Sequence, residues 1–150
     1  MKICFVLTIV LFSSLLSQAQ TTKKPSAPAS APGTAAVKST AAYAEVLLRK
    51  TERESELEEF LLDYTEEFPK VKEIKFELGL LQKELDKITA VNASDSGKLT
   101  LALGKLIVRK TEIETDLWNL RRQHADDHPE VRRARRKAEV YERAIKEILF

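Results

Sequence analysis

The amino-acid sequence predicts an all-α fold of two tandem antiparallel helical hairpins, in a coiled-coil-like or a four-helix arrangement. Three observations predict it. Residues 40–150 are rich in Glu, Lys, Arg and Leu, and hold only three glycines and two prolines. Apolar residues recur there at alternating steps of three and four, and no stretch alternates with period two. The third observation is an internal repeat at an offset of 60 residues.

The repeat pairs residues 49–88 with residues 109–148 without a gap. Nine of the forty aligned positions are identical, beginning with the tetrapeptide RKTE and including one proline in each copy. A repeat at a fixed spacing means that each copy forms the same supersecondary unit. We therefore expect one helical hairpin over residues 40–88 and a second over residues 98–150.

The first residues, MKICFVLTIVLFSSLLSQAQ, have the pattern of a secretory signal peptide. Lys2 precedes an apolar run that ends at Leu16, and the small residues that follow predict cleavage after Ala19. The apolar run is shorter than the roughly 20 residues that a membrane-spanning helix needs. A signal peptide over residues 1–19 predicts a periplasmic or secreted protein, and an uncleaved anchor is the alternative.

Cysteine content and hydropathy narrow the chemistry of the mature chain. Cys4 is the only cysteine and lies inside the predicted signal, so the mature chain has no disulfide, thiolate nucleophile or cysteine metal ligand. No second apolar run of membrane-spanning length follows, so we expect no transmembrane span after cleavage. Export also argues against a nucleic acid as the partner.

Two segments are predicted to lie outside the hairpins. Residues 20–39 are dominated by Pro, Ala, Ser and Thr, and such a segment buries too little apolar surface to offset its ordering entropy. We expect a disordered spacer there. The polar linker 89–97 joins the hairpins, and its Ser94, Asp95 and Ser96 are N-cap candidates for the next helix.

Each predicted helix has an inward seam of apolar residues. The seam also includes Lys50 and Lys110 at equivalent positions of the two copies, and polar seam residues specify register at a cost in stability. The seams of the four helices are Tyr43, Val46, Lys50, Arg53, Leu57, Phe60 and Tyr64; Val71, Ile74, Leu78, Leu81, Leu85 and Ile88; Leu103, Leu106, Lys110, Ile113, Leu117, Leu120 and His124; and Val131, Ala134, Ala138, Tyr141, Ile145 and Ile148.

A proline marks the corner of each hairpin. Proline is disfavoured inside a helix and favoured at its first position, so one helix should end before the proline and the next should begin at it. A short connection between two helices favours antiparallel neighbours. The predicted corner residues are Phe68, Pro69 and Val71 in the first hairpin and His128, Pro129 and Val131 in the second.

The corner sequences YTEEFPKV and HADDHPEV, with the helices that follow them, resemble the periplasmic coiled-coil region of polysaccharide chain-length determinant proteins, or polysaccharide co-polymerases. In that family a tyrosine, acidic residues, His-Pro and a valine turn one long helix into the next. The resemblance implies a helical hairpin in an exported, envelope setting. The two membrane helices and the α/β base of that family have no counterpart in this sequence.

His124 and His128 stand four residues apart, a spacing at which two histidines on a helix can bind one metal ion. Two observations favour a structural role. The offset of 60 pairs them with Tyr64 and Phe68, aromatic residues that share a flat ring and bind no metal. Pro129 also moves His128 out of helical geometry. We expect ring packing at these positions and keep a metal site as the weaker alternative.

The last predicted helix carries a dense basic cluster with a tryptophan upstream. A basic cluster on an exported protein binds a protein partner, an acidic glycan or lipid headgroups, and the alternative is a solvated helix face. Trp118 either covers the hairpin interface or anchors a partner, since tryptophan is enriched in binding hot spots. The candidate partner-binding residues are Trp118, Arg132, Arg133, Arg135 and Arg136.

No set of residues in the sequence predicts catalysis or a cofactor. A glycine-rich phosphate loop and a Ser–His–acid spacing are both absent. Residues 40–88 hold eight Lys and Arg against thirteen Asp and Glu, whereas residues 89–150 hold thirteen against ten. The opposite signs favour packing of the hairpins or head-to-tail assembly. We expect a non-enzymatic scaffold, adaptor or self-assembling module, with a chaperone-like binder of polyanions or unfolded clients as the alternative.

Overall fold

The structure, a computed structural model, describes residues 32–150 and confirms the all-α fold. No strand occurs within that range. The predicted signal peptide, and the spacer up to residue 31, lie outside the described residues. The helices are α1 (Pro32–Lys38), α2 (Ala41–Asp63), α3 (Pro69–Thr89), α4 (Leu101–Gln123) and α5 (Pro129–Leu149), with a 3₁₀ helix at Ala93–Lys98 between α3 and α4.

The two copies of the repeat form helices of the same length at the same offset. Helices α2 and α4 both have 23 residues, and α3 and α5 both have 21. Thr40 and Thr100 cap α2 and α4: the hydroxyl oxygen of each accepts a hydrogen bond from the backbone N–H three residues later, at 3.4 and 3.3 Å. Both copies therefore use one set of local signals.

Helix α4 is the centre of the helix packing. It contacts α2, α3 and α5, and α2 also packs against α3. Cross-helix contacts fix the directions of these helices. Lys110 of α4 bonds Glu84 of α3 while Asn119 bonds Glu73, so α3 and α4 run antiparallel. Helices α2 and α4 run parallel, because Ala42 donates a backbone hydrogen bond to Leu99 O and Arg49 pairs with Glu112 further along.

The predicted seams face inward, with one clear asymmetry. Their apolar members are buried or half-buried in all four helices, except Tyr64, which is exposed at the first corner. Lys50 is half-buried and pairs with Glu54 on its own helix, whereas the Lys110 side chain is only 6% exposed and is held between helices. The two seam lysines therefore have different environments despite their equivalent positions in the repeat.

Two boundaries differ from the sequence prediction. Residues 32–38, assigned to the disordered spacer, form α1, and Val37 is fully buried in the core that α2, α3 and α4 share. A single valine therefore attaches this otherwise small and polar segment. The linker runs from residue 90 to residue 100, and the residue that caps α4 is Thr100. Ser94, Asp95 and Ser96 lie inside the separate 3₁₀ helix, which is why they do not cap α4.

Across residues 32–150 no helix has the length and apolar character that crossing a membrane would require.

Candidate functional site

The two predicted corners, between α2 and α3 and between α4 and α5, have the same geometry. Tyr64 and His124 leave the helix with extended backbone, at φ −127°, ψ 154° and φ −135°, ψ 151°. Phe68 N–H donates to Thr65 O and His128 N–H donates to Ala125 O, both at 3.0 Å, which closes one turn in each corner. Pro69 and Pro129 then begin the next helices, and the valines two residues later, Val71 and Val131, are fully buried.

Stacked rings close both corners. The Tyr64 and Phe68 rings have centroids 4.1 Å apart and planes 17° apart. The His124 and His128 rings have centroids 4.1 Å apart and planes 12° apart. The histidine pair thus occupies the place of an aromatic pair, at the positions where the offset of 60 predicts flat rings.

The same stacking bears on the metal alternative. His124, His128 and Glu130 have ligand atoms within 4.8 Å of one another. A ring-nitrogen lone pair lies in the plane of its ring, so two stacked, nearly parallel imidazoles direct their lone pairs side by side. One ion about 2.0–2.1 Å from both nitrogens would require the rings to turn. His128 Nδ1 also accepts the Glu130 backbone N–H at 3.4 Å. This geometry favours ring packing.

Exchanging the ring pair between the corners tests this interpretation. We expect the double substitution His124→Tyr with His128→Phe to change the free energy of unfolding by less than about 1 kcal/mol, because a stacked pair replaces a stacked pair. His124→Ala removes one ring and is expected to cost about 0.5–1.5 kcal/mol. Urea denaturation at pH 7.5 measures both. If the exchange costs more than the alanine variant, the histidines contribute something that a ring does not.

Trp118 lies in a contact between helices. Its indole stacks on Phe76 of α3 with ring centroids 4.8 Å apart and planes 13° apart. The guanidinium of Arg122, one turn later, lies 4.8 Å from the indole centroid. The half-buried ring therefore covers the α3–α4 interface, the first of the two roles considered from the sequence.

The predicted basic residues of α5 separate into two groups. Arg135 is half-buried, and its guanidinium lies 3.2 Å from Asp126, which also pairs with Arg121 at 3.0 Å. The others point to solvent, and within residues 32–150 no carboxylate lies within 4 Å of their charged nitrogens. We define the basic face of α5 as these unpaired side chains together with exposed Val140: Arg132, Arg133, Arg136, Lys137, Val140 and Arg143.

A buried glutamate joins three helices. Glu77 of α3 is only 3% exposed at its side chain, and its carboxylate lies 3.1 Å from Arg49 Nε and 2.9 Å from Arg53 Nε, both of α2. Arg49 also pairs with Glu112 of α4, with its Nη2 3.2 Å from Glu112 Oε1. A buried carboxylate is tolerated only where cations neutralise it. The geometry therefore assigns Glu77 to holding α2, α3 and α4 together.

Lys110 joins the other set of three helices. Its ammonium lies 2.6 Å from Glu142 of α5, 3.0 Å from Glu84 of α3 and 3.8 Å from Glu114 on its own helix. This lysine is therefore the buried ionic link from the middle of α5 to α3 and α4, in addition to the exposed Arg135–Asp126 pair at the corner. The seam pattern predicts Lys110 but not Glu77 or Glu84. The only signal for these two glutamates is that a cation in an apolar seam needs an anion on a facing helix.

The pKa values around Lys110 follow from this geometry. Burial alone lowers the pKa of Lys110, but the hydrogen bond to Glu142 and the charges of Glu84 and Glu114 outweigh burial and raise it. The hydrogen bond from Lys110 lowers the pKa of Glu142, and burial raises the pKa of Glu114. The Lys110–Glu142 pair therefore stabilises the fold at neutral pH. Its contribution falls in acid as Glu142 gains a proton, and in strong base as Lys110 loses one.

An apolar groove of about 530 Å³ lies where the C-terminal ends of α3 and α5 meet the segment before α4. Its accessible apolar lining comes from Val91, Leu149 and Phe150, and buried residues such as Leu99 and Ile145 form its floor. Lysines at the rim are each paired with a carboxylate of their own helix or turn: Lys87 with Glu84, Lys98 with Asp95 and Lys146 with Glu142. The groove thus offers apolar contact without an excess of either charge.

Comparison with known proteins gives no match to this chain among protein-family models, curated proteins or solved structures. The resemblance of the corners to chain-length determinant proteins therefore stays a prediction from the sequence.

Proposed function

We propose that this chain is a non-enzymatic, exported helical interaction module that serves as an envelope scaffold or adaptor and can self-associate. One observation carries the proposal: the division of its charges between the interior and the surface. The buried charges of Glu77 and Lys110 are neutralised by ion pairs between helices. The basic face of α5, in contrast, has no carboxylate partner within residues 32–150. Unpaired charge on a rigid helix supports electrostatic recognition of a partner.

The export part of the proposal is tested by intact-mass spectrometry after cell fractionation. We expect the mature chain to begin at Gln20, in the envelope or secreted fraction, because small residues follow the apolar run at the predicted cleavage point. A full-length chain in the cytosolic fraction would contradict export. A full-length chain in the membrane fraction would favour the retained anchor.

The binding part is tested by photo-crosslinking in intact cells. A photoreactive residue at Val140, which is 52% exposed within the basic face, is expected to give discrete adducts. The same residue at Gln82, exposed on α3, is the matched control and is expected to give none. Equal labelling from both positions would mean that the basic face is an ordinary solvated helix surface.

The alternative function is a chaperone-like binder of polyanions or unfolded clients, and it has its own observations. The exposed, unpaired arginines fit a polyanion, since guanidinium groups bind sulfate and phosphate in a bidentate manner. Unfolded clients present apolar segments, for which the groove between α3 and α5 supplies an apolar lining. Suppression of the aggregation of a denatured test protein measures client binding directly.

Polyanion binding predicts a sharp difference between neighbouring arginines. We expect a triple variant with Arg132, Arg133 and Arg136 changed to Gln to lose at least about tenfold in affinity for a sulfated polysaccharide, since it removes three unpaired charges. Arg135→Gln is the matched control, because Asp126 already neutralises that side chain. Titrations at rising NaCl concentration measure both. Equal losses in the two variants, or no salt dependence, would exclude this alternative.

A further inference from the structure

We infer that a second copy of this chain docks on the basic face of α5 through an acidic face on α2; the inference rests on the proposed function as an interaction module. The acidic face consists of Glu58, Glu59, Leu62 and Asp63, at the end of α2 next to the first corner. All four side chains are exposed. Within residues 32–150 no Lys, Arg or His nitrogen lies within 4 Å of their carboxylates.

The two faces have the same spacing and opposite charge. Glu58, Glu59 and Leu62 occupy positions i, i+1 and i+4 of α2, and Arg136, Lys137 and Val140 occupy positions i, i+1 and i+4 of α5. Residues four apart are neighbours on a helix surface. Each face is therefore an apolar side chain with two like charges one turn before it.

An exposed apolar residue lies at the centre of each face. Leu62 is 85% exposed and Val140 is 52% exposed, although most large apolar residues of α2–α5 are turned inward. Contact between the two would remove apolar surface from water and would desolvate the charge pairs around it, which strengthens them. Asp63 adds a further negative charge to the acidic face and Arg143 a further positive charge to the basic face, at different spacings. Glu139 is also exposed on α5, where the positive charges still outnumber it.

The faces have no means of meeting inside one molecule. Helices α2 and α5 each pack on α4 and are not packed on each other, and no ion pair joins them in the described residues. Three other glutamates of α2 already have ion-pair partners: Glu52 pairs with Arg49, Glu54 with Lys50 and Glu56 with Arg53. Charge complementarity thus favours a second copy, bound head to tail or reciprocally about a two-fold axis.

The test is the molar mass of the native chain by light scattering and sedimentation, from about 1 to 300 µM, a range that covers weak self-association. We expect concentration-dependent assembly that weakens at least about tenfold between 50 mM and 1 M NaCl, because exposed charges are screened. The double charge reversal Glu58→Lys with Glu59→Lys, and separately Arg136→Glu with Lys137→Glu, should each weaken assembly by at least about tenfold.

Recombining the reversals makes the test decisive. One chain carrying all four substitutions restores opposite charges across the contact, so its assembly should return to within about threefold of the original affinity. The matched control, Asp86→Lys with Asp116→Lys, changes the net charge as much as the α2 reversal, at exposed positions outside both faces, and should leave assembly unchanged. Circular dichroism verifies that each variant is folded.

Three outcomes overturn the inference. The first is a chain that stays monomeric throughout the concentration range. The second is assembly that the reversals do not weaken, and the third is a fourfold variant that stays monomeric although folded. If crosslinks to a different acidic partner or to a polyanion persist from Val140 in these cases, the basic face still binds and the proposed function stands. If those crosslinks are lost as well, both the inference and the proposed function are contradicted.

Discussion

Replacing Lys110 by Met is expected to lower the free energy of unfolding by about 2–3 kcal/mol at pH 7. This is less than the roughly 3–5 kcal/mol for removing one partner from a fully buried ion pair, because Glu142 is partly exposed and each carboxylate keeps a second lysine. Methionine fills a similar volume with no charge, so the change isolates the ammonium group. It removes the shared cation that now lies 3.0 Å from Glu84 and 2.6 Å from Glu142, and leaves them only the exposed Lys87 and Lys146. Helix α5 also loses its buried ionic link to α3 and α4 and keeps only exposed pairs at the corner, so we expect it to loosen first.

The pH dependence of this variant has a definite sign. In the natural chain the lowered pKa of Glu142 means that stability falls on acidification. Without Lys110, the clustered carboxylates repel one another and bind protons more readily when folded than when unfolded. The folded state of the variant therefore gains stability relative to the natural chain as the pH falls. The difference between the two chains should narrow from pH 7 to pH 4.

The repeat supplies a matched control for this variant. Lys50 occupies the equivalent seam position, but it is half-buried and pairs with Glu54 of its own helix. Lys50→Met is therefore expected to cost no more than about 0.5 kcal/mol. Urea denaturation followed by circular dichroism, at pH 7 and pH 4, measures all three chains. Equal effects at both lysines, or a difference that widens in acid, would show that the Lys110 cluster does not stabilise the fold as proposed.

The regular features of this molecule were predictable because short-range rules determine them. Proline begins a helix wherever the preceding turn permits, so Pro69 and Pro129 located both corners. The offset of 60 then made it possible to predict the role of a residue in one copy from its equivalent in the other. Because Tyr64 and Phe68 are aromatic, it predicted that His124 and His128 would pack as rings.

The irregular features were not predictable, because they depend on which surfaces meet. Val37 looked like part of a disordered spacer, and only the assembled core shows the site that buries it. The three glutamates of α3 have similar sequence surroundings, and the facing helices decide that Glu77 and Glu84 are buried while Glu73 is not. The equivalent lysines differ for the same reason, since α4 is surrounded by three helices.

Gly104→Ala is expected to lower the free energy of unfolding by about 1–3 kcal/mol, although alanine is the better helix former. The sequence places Gly104 inside a predicted helix and leaves open whether it permits bending or close approach. The structure shows close approach between α4 and α2. An added Cβ would lie 2.8 Å from Glu45 Cβ, 3.0 Å from Ala42 Cα and 3.1 Å from Ala42 O. These are backbone and Cβ atoms, so no flexible side chain can move aside.

Gly79→Ala is the matched control, because the same substitution there has the opposite sign. Gly79 lies in the middle of α3 on its exposed side, and an added Cβ would meet nothing within 4 Å. Only the helix propensity changes, so we expect a gain of about 0.5–1 kcal/mol. Thermal and urea denaturation of both variants measures the contrast. Displacing α2 from α4 would also stretch the Arg49–Glu112 pair, which adds to the expected cost. If Gly104→Ala left the free energy of unfolding unchanged, the parallel contact between α2 and α4 would not be as tight as described.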